Sequence, residues 1–120
     1  MPLIELFKNF RDKYMRSALE QMNFPEFPPD IEKRYQIIFS GIVQGVGFRY
    51  EAWLIAQKLG LTGFAENLPN GDVRIEIQGP ENKIFHLISC MESIRRIHIK
   101  NKKIDEMALI IEETEFTPIY

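Results

Sequence analysis

Pro25, Pro28 and Pro29 fall within five residues of one another and divide this 120-residue chain in two. Each proline fixes its own φ, lacks an amide donor and pushes the residue before it out of the helical region, so no helix runs through this stretch. Before it, Leu3, Phe7, Phe10, Tyr14, Ala18 and Met22 recur at spacings of three and four, and Ile4, Leu6, Met15 and Leu19 widen the stripe. Lys8, Arg11, Asp12, Lys13 and Arg16 occupy the other side. The pattern predicts an amphipathic helix over residues 3–22, followed by a proline-rich linker. Residues 1–32 then form an appendage, and residues 33–120 a domain of ordinary size.

Within 33–120 the apolar period switches repeatedly between two and three-to-four. Tyr35–Val43 is rich in β-branched and aromatic residues and reads as a strand. Phe48, Ala52, Ile55, Ala56 and Leu59 share one helical face, and Gly60 is a natural stop. Residues 61–68 and 72–78 flank Pro69-Asn70-Gly71 and read as a hairpin. Val73, Ile75 and Ile77 alternate with Arg74, Glu76 and Gln78, as in a strand with one wet face. Gly79-Pro80 opens a second helix, with Pro80 in its first turn and Ile84, Leu87, Ile88, Met91 and Ile94 as its buried stripe. A further strand starts at Ile97 and Ile99 and extends to about residue 104. Residues 105–115 carry no clear period, and Phe116–Tyr120 fits a short last strand. The order βαββαβ, with one extra edge segment, predicts an α+β domain with two helices on one face of a mostly antiparallel sheet.

Charge and composition narrow the function classes. Fifteen basic against seventeen acidic residues give a net charge of -2, without the basic excess of most nucleic-acid binders. An RNA-recognition sheet would also want aromatic residues on its third strand, and Asp72-Val73-Arg74-Ile75-Glu76-Ile77 has none. No apolar run approaches the roughly 20 residues that span a bilayer. Glu5, Lys8, Arg11 and Asp12 interrupt any signal-peptide core. Cys90 is the only cysteine, which excludes an internal disulfide and fits a reducing, cytoplasmic setting.

The stretch that carries chemistry is Gly41-Ile42-Val43-Gln44-Gly45-Val46-Gly47-Phe48-Arg49, between the first strand and the first helix. Glycines let the backbone take positive φ, and successive N–H groups in such a turn converge into an anion nest. The helix N-terminus adds unpaired N–H groups and the positive end of its dipole. Arg49, in the first helical turn, is placed to return a two-pronged guanidinium to the same anion. No Gly-Lys-Ser/Thr follows, so the loop is not a nucleotide P-loop. On spacing alone, a tight strand-to-helix turn with a surface arginine fits equally well.

The stretch Val43-Gln44-Gly45-Val46-Gly47-Phe48-Arg49 resembles the signature loop of the acylphosphatase family without a departure. A second family element, a Gly-aromatic pair followed by Asn before a hairpin turn, matches Gly63-Phe64-Ala65-Glu66-Asn67-Leu68-Pro69-Asn70-Gly71, with Phe64 where the family often has Trp. Gly79-Pro80 matches the family's entry to its second helix. The likeness is good over residues 34–94 and loose beyond. A proline often found after the second helix is missing, and residues 1–32 have no counterpart in the minimal family domain. The resemblance implies a ferredoxin-like βαββαβ sandwich that hydrolyses acyl phosphates to carboxylate and inorganic phosphate, with no metal and no cofactor. It assigns Arg49 as the phosphate clamp, Asn67 as the residue that orients the attacking water, and Gln44, Gly45, Val46, Gly47 and Phe48 as a cradle acting mainly through backbone atoms. Two alternatives stand beside it. One is a non-catalytic binding module on the same fold. The other is an accessory phosphate- or carbamoyl-phosphate-handling domain like those of hydrogenase-maturation carbamoyltransferases.

The remaining chemistry-bearing residues read as structural. His86 and His98 are not at metal-ligand spacing. Cys90 reads as a small packed residue, Trp53 as packing beside the first helix's core stripe. Glu112, Glu113 and Glu115 read as a solvated acidic loop. Arg95, Arg96, Lys100, Lys102 and Lys103 read as the charged guard of an edge strand. The expected partners are a small acyl phosphate and inorganic phosphate, with neither nucleic acid nor membrane, and self-association through the N-terminal helix.

Overall fold

The computed structural model describes residues 24–120, so the helix expected at 3–22 lies outside the described residues. Strand β1 (Glu32–Ile42) leads through a tight loop into helix α1 (Phe48–Leu59). Strands β2 (Thr62–Asn67) and β3 (Val73–Pro80) form the hairpin around Pro69-Asn70-Gly71. Helix α2 (Glu81–Ser93), strand β4 (His98–Met107) and the short strand β5 (Phe116–Pro118) complete the chain. The sheet order is β4-β1-β3-β2-β5. Every pairing is antiparallel except β2 with β5. This is the expected α+β sandwich, with the extra edge segment added in parallel.

Alternation along the two central strands builds the core. Ile37 and Phe39 on β1 and Val73, Ile75 and Ile77 on β3 are fully buried on the helix-bearing face. Ile84, Leu87, Ile88 and Met91 of α2 close over them, as the stripe requires. Helix α1 is covered more completely than its stripe implies, since Tyr50, Glu51, Trp53 and Leu54 are buried as well. At about 25 cal/mol per Å² of apolar surface removed from water, this continuous cluster is the main stabilising term of the domain.

Two details differ from the sequence expectation. Pro80 does not enter the second helix; with ψ 131° it ends β3 and stands just before α2. Proline has no side-chain acceptor to cap the helix, so the cap comes from far away. The Asp30 carboxylate accepts the Asn82 N–H at 2.9 Å, and the Ile31 carbonyl accepts the Glu81 N–H at 3.0 Å. Residues 24–31, read as a linker, thus lie along α2. Phe24 and Phe27 meet His86 edge-on at 5.4 and 5.2 Å between centroids. Tyr35 donates to Glu81 at 2.5 Å, and that hydrogen bond, with burial, pushes its hydroxyl up to about 12.

The second difference concerns residues 105–115. β4 runs on to Met107, and the chain then crosses the face of the sheet away from the helices to reach β5 at the other edge. Arg34, 1% exposed, anchors the crossing. Its guanidinium donates to both oxygens of Glu113, at 2.7 and 3.2 Å, and to Glu76 at 3.1 Å. Gln78 adds a two-way clasp with the Ile110 backbone, at 2.9 and 2.8 Å.

Removing one partner of a buried ion pair strands the other. Arg34→Met is therefore expected to destabilise the domain by about 3 kcal/mol, the low end for a broken buried pair because Glu76 and Glu113 keep some solvent contact. Denaturant unfolding measures this. A loss below about 1 kcal/mol, the worth of an exposed ion pair, would show that Arg34 does not hold the crossing.

Candidate active site

The β1–α1 loop turns on two left-handed glycines, Gly45 at φ 72° and Gly47 at φ 78°. Gly47 is the N-cap of α1 and, having no side chain, makes no side-chain cap bond to the first turn of the helix. Phe48 anchors the loop's end in the core, 2% exposed and 5.0 Å from the Phe39 ring. The next residue, Arg49, is carried to the mouth of the loop.

A cavity of about 220 Å³ opens at this point, lined by Val43, Gly45, Gly47, Phe48, Arg49, Asn67 and Tyr120. The fold thus brings the loop glycines, the helix N-terminus, Arg49 and Asn67 to one space. Asn67 arrives as the last residue of β2, paired with Val73. Of the expected cradle, Gly45, Gly47 and Phe48 line the cavity. Gln44 and Val46 do not, and both are tied to neighbouring elements instead.

Gln44 uses its side-chain amide to join the loop to the hairpin. Nε2 donates to the carbonyls of Leu68 and Asp72, each at 2.8 Å. These carbonyls belong to the turn that follows Asn67, closed by Leu68 N–H to Asp72 O at 2.8 Å and Gly71 N–H to Leu68 O at 3.2 Å. One side chain therefore fixes the distance between the loop and the turn that follows Asn67.

Two further residues make contacts to the loop or to Arg49 that the sequence did not announce. Tyr120 lines the cavity, and its ring lies 4.3 Å below the Arg49 guanidinium. Arg49 also donates from Nη1 to the Ile119 carbonyl at 2.7 Å. The Ile119 N–H bonds Ala65 O at 2.8 Å, so the tail beyond β5 is seated on β2 when it meets Arg49. Arg96, read as edge-strand charge, is the second: Nε donates to the Val46 carbonyl at 2.8 Å and Nη2 to Glu51 at 2.5 Å. Neither residue stands in a local motif, so no local pattern could have found them.

The other reactive side chains stay apart from this site. Cys90 is half-buried, and burial pushes its thiol up, away from the reactive thiolate. Among the described residues no three of His, Cys, Asp and Glu cluster as metal ligands, and no helix is long and apolar enough to cross a membrane.

Gln44→Ala removes two hydrogen bonds at the loop–hairpin junction. It is expected to cost about 1–3 kcal/mol of stability and to lower turnover in a protein that still folds. Thermal melting and steady-state kinetics check both, and wild-type turnover would show that this tie does not set the site's geometry.

The sequence and the fold both have known relatives. The acylphosphatase family model matches residues 35–118. An acylphosphatase of Clostridium beijerinckii is 55% identical over 56 residues, a match spanning 47% of this chain and 62% of that protein. One of Lactobacillus gasseri is 35% identical over 83 residues, spanning 68% of this chain and 91% of that protein. The crystal structure of the Bacillus subtilis acylphosphatase superposes with a TM-score of 0.68 at 30% identity, covering 73% of this chain and 99% of that one. The chain belongs to the acylphosphatase family, and the reaction that comes with that membership is the hydrolysis of acyl phosphates.

Proposed function

We propose that the cavity at the β1–α1 loop binds the phosphoryl group of an acyl phosphate and hydrolyses it without a metal, with Arg49 as clamp and Asn67 as the residue that holds the attacking water. The observation that carries this reading is the shared cavity. Two positive-φ glycines, the N-terminus of α1, Arg49 and Asn67 converge on one space of about 220 Å³.

The division of labour follows from the chemistry. Water oxygen bonds to phosphorus while the bond from phosphorus to the acyl oxygen breaks, and its electron pair leaves on the carboxylate. A carboxylate is a good leaving group, so the enzyme gains most by holding the phosphoryl group and gathering the charge on its oxygens. Loop N–H groups and the planar fork of Arg49 suit those oxygens better than a lysine would. Asn67 accepts from the water through its carbonyl and donates through its amide, but it takes no proton at neutral pH. The proton lost by the water passes to a phosphate oxygen of the substrate. All the recognising groups surround the phosphate, so the reading names a class of substrate rather than one acyl group. In this reading residues 1–23 take no part in the chemistry and serve self-association.

The two side chains are separable by kinetics. Arg49 meets charge in both ground and transition states, so Arg49→Ala is expected to weaken inorganic phosphate binding and slow turnover, with poor rescue by lysine. Asn67→Ala is expected to lower kcat by about 10²–10³ while phosphate affinity stays near wild type. Measured kcat, KM and phosphate inhibition on folded variants decide this. Unchanged turnover in Asn67→Ala refutes the water-orienting role, and unchanged phosphate affinity in Arg49→Ala puts the site elsewhere.

Inorganic phosphate is expected to compete with substrate, and thorough chelation to leave turnover unchanged. Purely non-competitive inhibition would separate the two sites. Activity lost on chelation and restored by a divalent cation would replace Arg49 with a metal as the main electrophile.

A further inference from the structure

We propose that Arg96 is a positioning residue that fixes the orientation of the Val46–Gly47 peptide, so that the Gly47 N–H faces the cavity, while it cancels the charge of Glu51 beside the site. The inference rests on the reading of that cavity as a phosphate site. Arg96 lies in the turn between α2 and β4, remote in sequence from the loop. Its side chain is 46% exposed, yet both ends of the fork are engaged. Nε–H meets the Val46 carbonyl at 2.8 Å, and Nη2–H meets Glu51 Oε1 at 2.5 Å. Glu51 is nearly buried, with an 8% exposed side chain, so its carboxylate is a firm post against which the guanidinium is oriented.

The peptide geometry gives this contact its consequence. In a planar trans peptide the carbonyl and the following N–H point in opposite directions. A Val46 carbonyl held outward by Arg96 therefore sends the Gly47 N–H the other way. Gly47 lines the cavity, whereas Val46, Glu51 and Arg96 do not. Glycine at 47 tolerates either sign of φ, so its own residue type does not prevent this peptide from flipping. A flip would turn the carbonyl, an acceptor, toward an anion. The charge-assisted bond from Arg96 favours one of the two orientations, and polarisation of the peptide makes its N–H a better donor.

Glu51 supplies the second argument. It is the acidic residue in the first turn of α1, at the helix end where the anion is received. Unpaired, its charge would oppose a phosphate arriving at the same N-terminus. The pair with Arg96 removes that repulsion within the fold, without placing Arg96 in the cavity.

The test is inorganic phosphate affinity, by calorimetry and by competitive inhibition, on the full-length chain. Arg96→Ala is expected to weaken phosphate binding about ten- to a hundredfold, the worth of a charged hydrogen bond. Arg96→Lys keeps a charge opposite Glu51 but has no Nε–H, and is expected to lose most of the same affinity while remaining folded. Lys102→Ala removes another basic side chain near the α2–β4 turn by breaking an exposed ion pair, Lys102 with Glu92 at 2.9 Å, and serves as the control with unchanged affinity. In amide spectra, the Gly47 signal is expected to move on phosphate addition in the wild type and to move far less in both Arg96 variants. A folded Arg96→Lys or Arg96→Ala protein with wild-type phosphate affinity overturns the proposal and leaves Arg96 a purely structural ion pair. If Arg49→Ala also binds phosphate normally, the cavity reading itself has failed. If Arg49→Ala loses phosphate while the Arg96 variants keep it, only the positioning role has.

Discussion

Backbone N–H groups that wait for an anion cannot also hold their own loop together. In most turns those donors are satisfied within the turn, and the bonds that satisfy them give it its shape. In the proposed reading the β1–α1 loop keeps its donors for a ligand, so its shape has to come from outside. The fold supplies four ties. Phe48 pins the loop's end in the core, and Gln44 holds its start to the β2–β3 turn. Arg96 grips its middle from the α2–β4 turn, and Arg49 beyond it is steadied by the segment after β5. Every element on that side of the domain contributes a contact to a loop of a few residues.

The sheet order makes those contacts possible. β1 and β3 are central, so the loop after β1 emerges beside the turn joining β2 and β3. β5 joins β2 in parallel, which carries Ile119 and Tyr120 toward the same end. For the chain to get there it must cross from one edge of the sheet to the other. Arg34 and Gln78 hold that crossing down on the face opposite the helices. A buried ion pair on one face of the sheet is thus part of what delivers an aromatic ring to a site at its end. The desolvation of Arg34 is offset only because Glu113 and Glu76 engage it from two sides, so the arrangement is specific as well as stabilising.

What could be read from the sequence was local, and what could not was long-range. Within residues 33–120 the period switches gave each strand and helix to within a few residues, because one face of each element is buried. The loop glycines and Arg49 were legible because they stand in a short pattern with a physical reason for its residue types, and Asn67 because its stretch resembles a family element. Residues 105–115 were not, since their order comes from Glu113 meeting Arg34 and Ile110 meeting Gln78, partners 79 and 32 positions away. The cap of α2 was hidden for the same reason, because Pro80 has no acceptor and Asp30 supplies one from 52 positions back. Arg96 was misread because a basic residue near an edge strand is ordinarily solvated, and nothing local announces that Glu51 and the Val46 carbonyl lie in front of it. The near-complete burial of α1 was concealed by a sequence that shows a one-sided stripe.

Charge presents a final constraint that the structure meets locally. A chain with a net charge of -2 has no overall attraction for a phosphoryl dianion. In physiological salt, exposed charges more than about 8–10 Å apart are largely screened, so the close neighbours of the site decide its potential. Those neighbours include three acidic residues. Glu51 is answered by Arg96, and Glu66 by Arg74 across the β2–β3 pair. Asp72 receives the Asn70 side-chain amide at 3.1 Å and its backbone N–H is held by Asn70 Oδ1 at 3.0 Å, which keeps its carboxylate engaged in the turn. With Glu51 and Glu66 each answered by an arginine, Arg49 and the end of α1 weigh more in the potential of the proposed phosphate site. In the proposed reading an acidic protein presents an anion site without a basic surface, because acidic side chains near the loop are paired locally.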